Sequence, residues 1–273
     1  MACSRLAILS QPGEPMISTS HRCVFVHIPK TAGQSIEQVF LDALGLGWQS
    51  RGALLLRRNR NPALGPPRLA HLLARDYVRL GYLSSEEFAQ YFRFAFVRNP
   101  WDRVVSFYKY IGRPGECSFR EFVLDRLPGR LWDRMHWFVR PQVDYLFDEG
   151  HKLVDFVGRF ESLDSDFSVV AERLGLPDDR LPMINRSEGR RGMLTAISRQ
   201  WLTALSPASA AFGNFSGRPL SQHRRWADYY DDQTWQRVAE LYADDINQLG
   251  YTTSDATNPG IGSSMPSGEI ATH

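Results

Sequence analysis

Residues 23–35 read Cys23-Val24-Phe25-Val26-His27-Ile28-Pro29-Lys30-Thr31-Ala32-Gly33-Gln34-Ser35. Cys23 to Ile28 is a short β-type apolar run, the pattern of a buried strand, and Pro29 breaks it. Ile36, Val39, Phe40, Ala43 and Leu44 then recur at helical spacing, and Gly45 and Gly47 stop the helix. A strand that passes straight into a helix presents that helix's unpaired N–H groups and partial positive charge at the strand's end. Such a terminus binds phosphate-like anions. Lys30 adds a full charge there, Thr31 and Ser35 add hydroxyls, and Gly33 allows close backbone approach. The loop is not that of the nucleotide triphosphatases, which needs G-x-x-x-x-G-K-[ST]. Here Val26-His27-Ile28-Pro29 precedes the lysine, with no glycine.

Moving outward, Phe94-Ala95-Phe96-Val97 is a second buried strand that ends at Arg98-Asn99-Pro100. A helix over 101–111 follows, with Val104, Val105, Tyr108 and Ile111 on one face. Leu153-Val154-Asp155-Phe156-Val157 reads as a third strand. Further helices are predicted over 118–127, 164–174 and 234–249, the last ending at Gly250, and Ser84-Ser85-Glu86-Glu87 has the composition of a helix start. Strands alternating with helices predict an α/β fold: one domain with a parallel sheet and helices on both faces. Arg98 then falls at the carboxyl end of a strand, where open α/β sheets bind ligands. Ser106, a little over two helical turns on, can face the same side, and an arginine fork with a hydroxyl is a sensible dianion clamp. Asp102 and Arg103 read as structural or surface pairs, and Trp101 as packing.

The chain has 273 residues, and its 32 basic against 30 acidic side chains leave a net charge of +2. That balance argues against holding nucleic acid by bulk electrostatics. The 16 Phe, 10 Tyr and 7 Trp need a core, which excludes disorder as the main state. No stretch approaches the ~20 apolar residues of a membrane span. Three cysteines, Cys3, Cys23 and Cys117, fit a reducing compartment and neither a disulfide framework nor a zinc site. The expected organisation is a flexible leader over 1–20, a domain over 21–251 and a disordered tail over 252–273. Residues 51–75 carry six arginines and no acid, and 186–225 carry seven with one acid, Glu188. The second stretch reads as a lid or insertion. Arginines outnumber lysines so heavily that only Lys30, Lys109 and Lys152 occur.

His27 to Ser35 resembles the HIPKTAGTS signature of sulfotransferases that use 3′-phosphoadenosine-5′-phosphosulfate (PAPS), with Gln34 in place of the more usual Thr. Phe96-Val97-Arg98-Asn99-Pro100-Trp101-Asp102-Arg103-Val104-Val105-Ser106-Phe107-Tyr108 is similar to that family's FVRNPWDRxxSxY element. Arg140 to Leu146, Val157 to Glu161 and Asn185-Arg186-Ser187 are also similar. The likeness spans about 22–187, resumes near 229–251, and is nearest to the carbohydrate branch that includes heparan and chondroitin sulfotransferases.

The resemblance implies a P-loop-like fold and sulfuryl transfer from PAPS to a hydroxyl, most naturally on a carbohydrate or glycoconjugate, without a required metal. It places the 5′-phosphosulfate on Lys30, Thr31, Ala32, Gly33, Gln34 and Ser35, with Lys30 catalytic. It puts the 3′-phosphate on Arg98 and Ser106, and adds Asn185, Arg186 and Ser187 to the cofactor site. His71 is the first candidate for the base, since family members commonly carry a histidine before the second motif. His136 comes second and Glu37 is weaker, while His27 reads as structural. His136 and Arg140 are candidates for the acceptor side. The expected partner is a hydroxyl-bearing acceptor, not nucleic acid or membrane, and the expected location is the cytoplasm of a bacterium. The alternatives are a relative that binds nucleotide or glycan without turnover, and an ATP-dependent kinase on a related fold.

Overall fold

A computed structural model of the chain describes residues 17–47, 49–51, 58–112, 114–182 and 225–252. Its main sheet has four strands in the order β1 (Ile17–Ser18), β2 (Cys23–Val26), β3 (Phe92–Val97) and β4 (Phe156–Arg159). β2, β3 and β4 run parallel, with Phe25 opposite Phe94 and Phe94 opposite Phe156. β1 runs antiparallel to β2, so the sheet is mixed rather than parallel throughout. It also begins inside the stretch read as a leader. Arg22, at φ 48°, closes a tight turn that folds Ile17 and Ser18 back onto Val24 and Cys23. Pairing this edge covers backbone groups of β2 that would otherwise be open.

Alternation along the strands builds a core on each face of the sheet. Val24, Val26, Ala95 and Val97 point to one side, against Leu72, Tyr77, Tyr145 and Leu249. Cys23, Phe25, Phe94 and Phe96 point to the other, against Ile36, Val39 and Phe40 of α1 (Gly33–Ala43). Phe167 and Val170 pack on that side too. α2 (Pro100–Ile111) leaves the end of β3 with Asn99 as its cap, whose side chain accepts from the Trp101 and Asp102 N–H groups. Trp101, Val104, Phe107 and Tyr108 of α2 form a third core with Phe122 and Val123. Val238 of α4 (Asp232–Leu241), which follows α3 (Leu163–Leu174), and Tyr242 complete it. α5 (Ala243–Gln248) follows a break at Tyr242, and the pair ends at Gly250 with φ 65°.

The third strand starts three residues later than its apolar run predicts. Asp155 is held outside the ladder because its carboxylate accepts from Arg93 N, Nε and Nη2 at 2.6–2.9 Å. Val154 still enters the core. The helix predicted over 118–127 continues irregularly to Arg134, through a wide-turned stretch, Phe122–Leu131, that contains Pro128 and a non-helical Gly129. Residues 186–224 of the proposed lid and 253–273 of the proposed tail lie outside the described residues.

Gly158 shows why a glycine stands inside β4. A Cβ there would lie 2.4 Å from the Phe96 ring, which packs against bare backbone. Gly158→Ala should therefore lower the unfolding free energy by about 1–3 kcal/mol, the range for overpacking a core. Urea unfolding of both proteins measures this.

Candidate functional site

Because β2 and β3 are parallel neighbours, their carboxyl ends lie side by side, and so do the two loops that leave them. The loop after β2 is tightly wound, with Lys30 at φ 71° and Ala32 at φ 70°, both in the left-handed region that L-residues seldom enter. Thr31 is buried and its hydroxyl donates to Ile28 O at 2.9 Å, so it braces the loop from inside. Ala32 precedes α1 without any side-chain cap, and the first turn of α1 carries no acid. The start of α1 thus keeps its partial positive charge, with Lys30 two residues before its Ala32 cap. Gln34 is exposed and Ser35 half-buried. Gly33 also serves the packing of the loop. A Cβ at Gly33 would fall 2.0 Å from His27 Nε2, so its bare backbone makes room for that ring.

Lys30 lies with Nζ 4.3 Å from the centroid of the Tyr110 ring. Burial, and then the neighbouring Arg98, push its pKa down to about 8. Arg98 is fixed on several sides. Its Nε donates to Asp102 Oδ2 at 2.7 Å, Nη1 donates to Lys30 O at 3.2 Å, and its guanidinium stacks 3.9 Å from the Phe160 centroid. Its backbone N–H and C=O are both bonded to the Gln142 side chain, at 2.9 and 2.8 Å. Asp102, Ser106 and Tyr110 are successive i, i+4 positions on α2 and therefore share the face that meets Arg98 and Lys30. The two sequence motifs thus lie against each other.

Arg103, read as a structural or surface pair, is an interior cation with 1% exposure. Its Nε donates to Pro29 O at 3.1 Å, and Nη1 donates to Arg140 O at 3.0 Å while lying 3.9 Å from Asp245. Asp245 is fully buried and also accepts from Val143 N and Gln142 Nε2, at 2.9 and 3.2 Å. Burial pushes the Asp245 pKa up to about 6, and Arg103 opposes that shift. Arg103, Asp245 and Gln142 therefore form one buried network that grips the Lys30 loop, the start of α2 and α5. Sequence reading missed Gln142 and Asp245. Asp245 stands among the polar residues of α5 and Gln142 in a turn, so no local pattern marks either as buried.

His71 closes a short turn, Leu69–His71, and is buried. Its Nδ1 lies 2.9 Å from His27 O. A carbonyl only accepts, so Nδ1 carries the proton and Nε2 keeps the lone pair. Burial, and next the nearby His27, hold its pKa well below the ordinary histidine range, so the ring is neutral. Its ring lies 4.4 Å from that of His27 and stacks on Trp137 at 5.8 Å. Trp137 and Phe138, rather than their neighbour His136, reach His71. His136 instead meets Trp132, and Arg140 lies 4.0 Å from Asp144. Glu37 is buried with its carboxylate 2.5 Å from His27 Nδ1, so it holds that ring. Asn185, Arg186 and Ser187 lie outside the described residues.

The chain belongs to the sulfotransferase family, which it matches over residues 14–252. It is also 35% identical over 101 residues to an uncharacterized protein of Archaeoglobus fulgidus, a match that covers 36% of this chain and 79% of that protein. No solved structure matches it significantly. Membership identifies the chain as a sulfotransferase enzyme with an acceptor substrate. Among the described residues, no group of three or more His, Cys, Asp or Glu side chains is placed to hold a metal ion, and no helix is long and apolar enough to cross a membrane.

Arg103→Met removes the cation and strands the Asp245 carboxylate in the core. The expected loss of folding stability is about 3–5 kcal/mol, the cost of breaking a buried pair. Urea unfolding at neutral pH measures it.

Proposed function

We propose that this enzyme transfers the sulfuryl group of PAPS in line onto a hydroxyl of a carbohydrate or glycoconjugate acceptor. The observation that carries the reading is the uncapped start of α1, with Lys30 beside it and Arg98 bonded to the same loop. This cationic, N–H-rich corner suits a phosphosulfate. Lys30 and the backbone N–H groups from Thr31 to Ser35 would hold the 5′ end, and the outer edge of Arg98 with Ser106 would hold the 3′-phosphate. Bound PAPS supplies an activated sulfuryl group. The chain's own contribution is to orient it, to place Lys30's charge where the leaving oxygen becomes anionic, and to take the acceptor's proton. His71 suits that last task, because its Nδ1–H is held by His27 O and its Nε2 is left as the basic atom.

Calorimetric titration with the desulfated cofactor PAP, and separately with ATP and magnesium, tests the reading. PAP should bind tightly and ATP weakly. Lys30→Ala should abolish transfer from PAPS while leaving the fold intact, and wild-type turnover in that variant would remove Lys30 from its role.

The rate should also have a characteristic pH profile. A base acts when deprotonated, and His71 is held neutral well below the ordinary range, so activity should persist on acidification from about pH 7 to about pH 6. Lys30 acts when protonated, so activity should fall as pH rises through about 8. Initial rates with saturating PAPS between about pH 5 and about pH 10 measure both limbs. An acid limb at the ordinary histidine position would remove His71 from the assigned role.

A further inference from the structure

Lys30 is the cation on which the sulfotransfer reading turns, yet nothing in the motif that carries it fixes where its side chain points. The backbone around it is held by Arg103 at Pro29 O and by Arg98 at Lys30 O. These bonds place the Cα and leave a four-carbon stem to be directed by something else. The group that meets its ammonium is the Tyr110 ring, 4.3 Å away. Tyr110 lies near the end of α2, one helical turn beyond Ser106 and two beyond Asp102. It is 45% exposed, so its ring does not serve mainly to fill the core. It is nevertheless fixed in place, stacked on the buried Phe138 at a centroid distance of 5.8 Å and an interplanar angle of 27°. Phe138 in turn packs against His71 at 6.4 Å and Phe107 at 5.3 Å.

We propose that Tyr110 is a positioning residue for Lys30, with its ring face holding the ammonium in place beside the start of α1. An ammonium is attracted to the negative face of an aromatic ring, and a ring on one side also removes water from that side. Lys30 is thereby kept partly desolvated and directed, although it is the residue whose stem has most freedom in the loop. The charged neighbours agree with a need for such a hold. Arg98, from the start of α2, repels the ammonium, and Arg68, from the basic loop, faces the Tyr110 side. Without the ring, repulsion and hydration would both draw the ammonium outward. Because Tyr110 follows the last position of the family-like motif, its role depends on α2 running unbroken from its Asn99 cap to Ile111.

This inference rests on Lys30 being the donor-facing cation, and its test is independent of turnover. Only three lysines occur, so protein labelled with 13C at lysine Cε gives three resolvable sets of Hε–Cε signals, and Lys30→Arg identifies the one of interest. Protons held over a ring face are shifted upfield. Lys30 should therefore resonate upfield of the exposed Lys152. Tyr110→Phe should preserve that shift and Tyr110→Leu should abolish it, with Lys109, which sits over Tyr229, unmoved in both. In the transfer assay Tyr110→Leu should lower kcat roughly 10- to 100-fold, the scale for a misplaced catalytic group, and Tyr110→Phe should restore it. A Lys30 signal at the Lys152 position in the wild type, or one that Tyr110→Leu leaves in place, would overturn the proposal. Failure of PAP to bind, with the lysine shifts as expected, would instead count against the cofactor reading alone.

Discussion

The arrangement depends on one buried cation. Arg103 reaches from the first turn of α2 to the carbonyl of Pro29, the residue before Lys30, and to the carbonyl of Arg140. Neither acceptor is charged, so both bonds are directional ties between segments rather than an ion pair. The countercharge comes from Asp245 at 3.9 Å, itself held by Gln142 and by Val143 N. Burying a guanidinium costs several kcal/mol unless its donors are matched. Nε and Nη1 are matched by carbonyls from two other segments, Nη2 is buried without a partner, and the two bonds tie the loop to α2.

The same economy of charge runs through the site. Three cations of the site are each limited by a specific partner: Arg98 by Asp102, Arg103 by Asp245, and Lys30 by an aromatic face. The acids are likewise already engaged, with Glu37 against His27 and Glu161 on the Asn99 N–H. Among the described residues, the start of α1 has neither a side-chain cap nor an acid in its first turn. A positive corner that the protein does not neutralise for itself is suited to an anionic ligand, and no lone residue in it makes it so.

His27 illustrates how closely the structural and chemical roles are interleaved. Its ring takes the space that Gly33 leaves open and is held by Glu37, while its carbonyl sets the tautomer of His71. The glycine that reads as an opening for ligand also leaves room for a side chain, and the histidine that reads as structural directs another histidine through its backbone. Local sequence distinguishes these uses poorly, since both demand a residue without a Cβ beside a strand end.

The sequence alone determined the strand-to-helix unit at Lys30, the second at Arg98, and the α/β class, because each rests on apolar periodicity and helix punctuation within a dozen residues. It also determined the family, through two motifs in order. It did not determine the antiparallel edge strand, whose two residues sit in polar surroundings, nor the start of β4, where the Arg93–Asp155 clasp overrides an apolar run. The roles of Arg103, Gln142, Asp245 and Tyr110 were decided only by tertiary structure. Arg103 and Asp245 are 142 residues apart in number, and a buried charge is recognisable only once its partner is known. Periodicity describes which face of an element is apolar. The partners that meet across the interior are set by how the chain returns to itself.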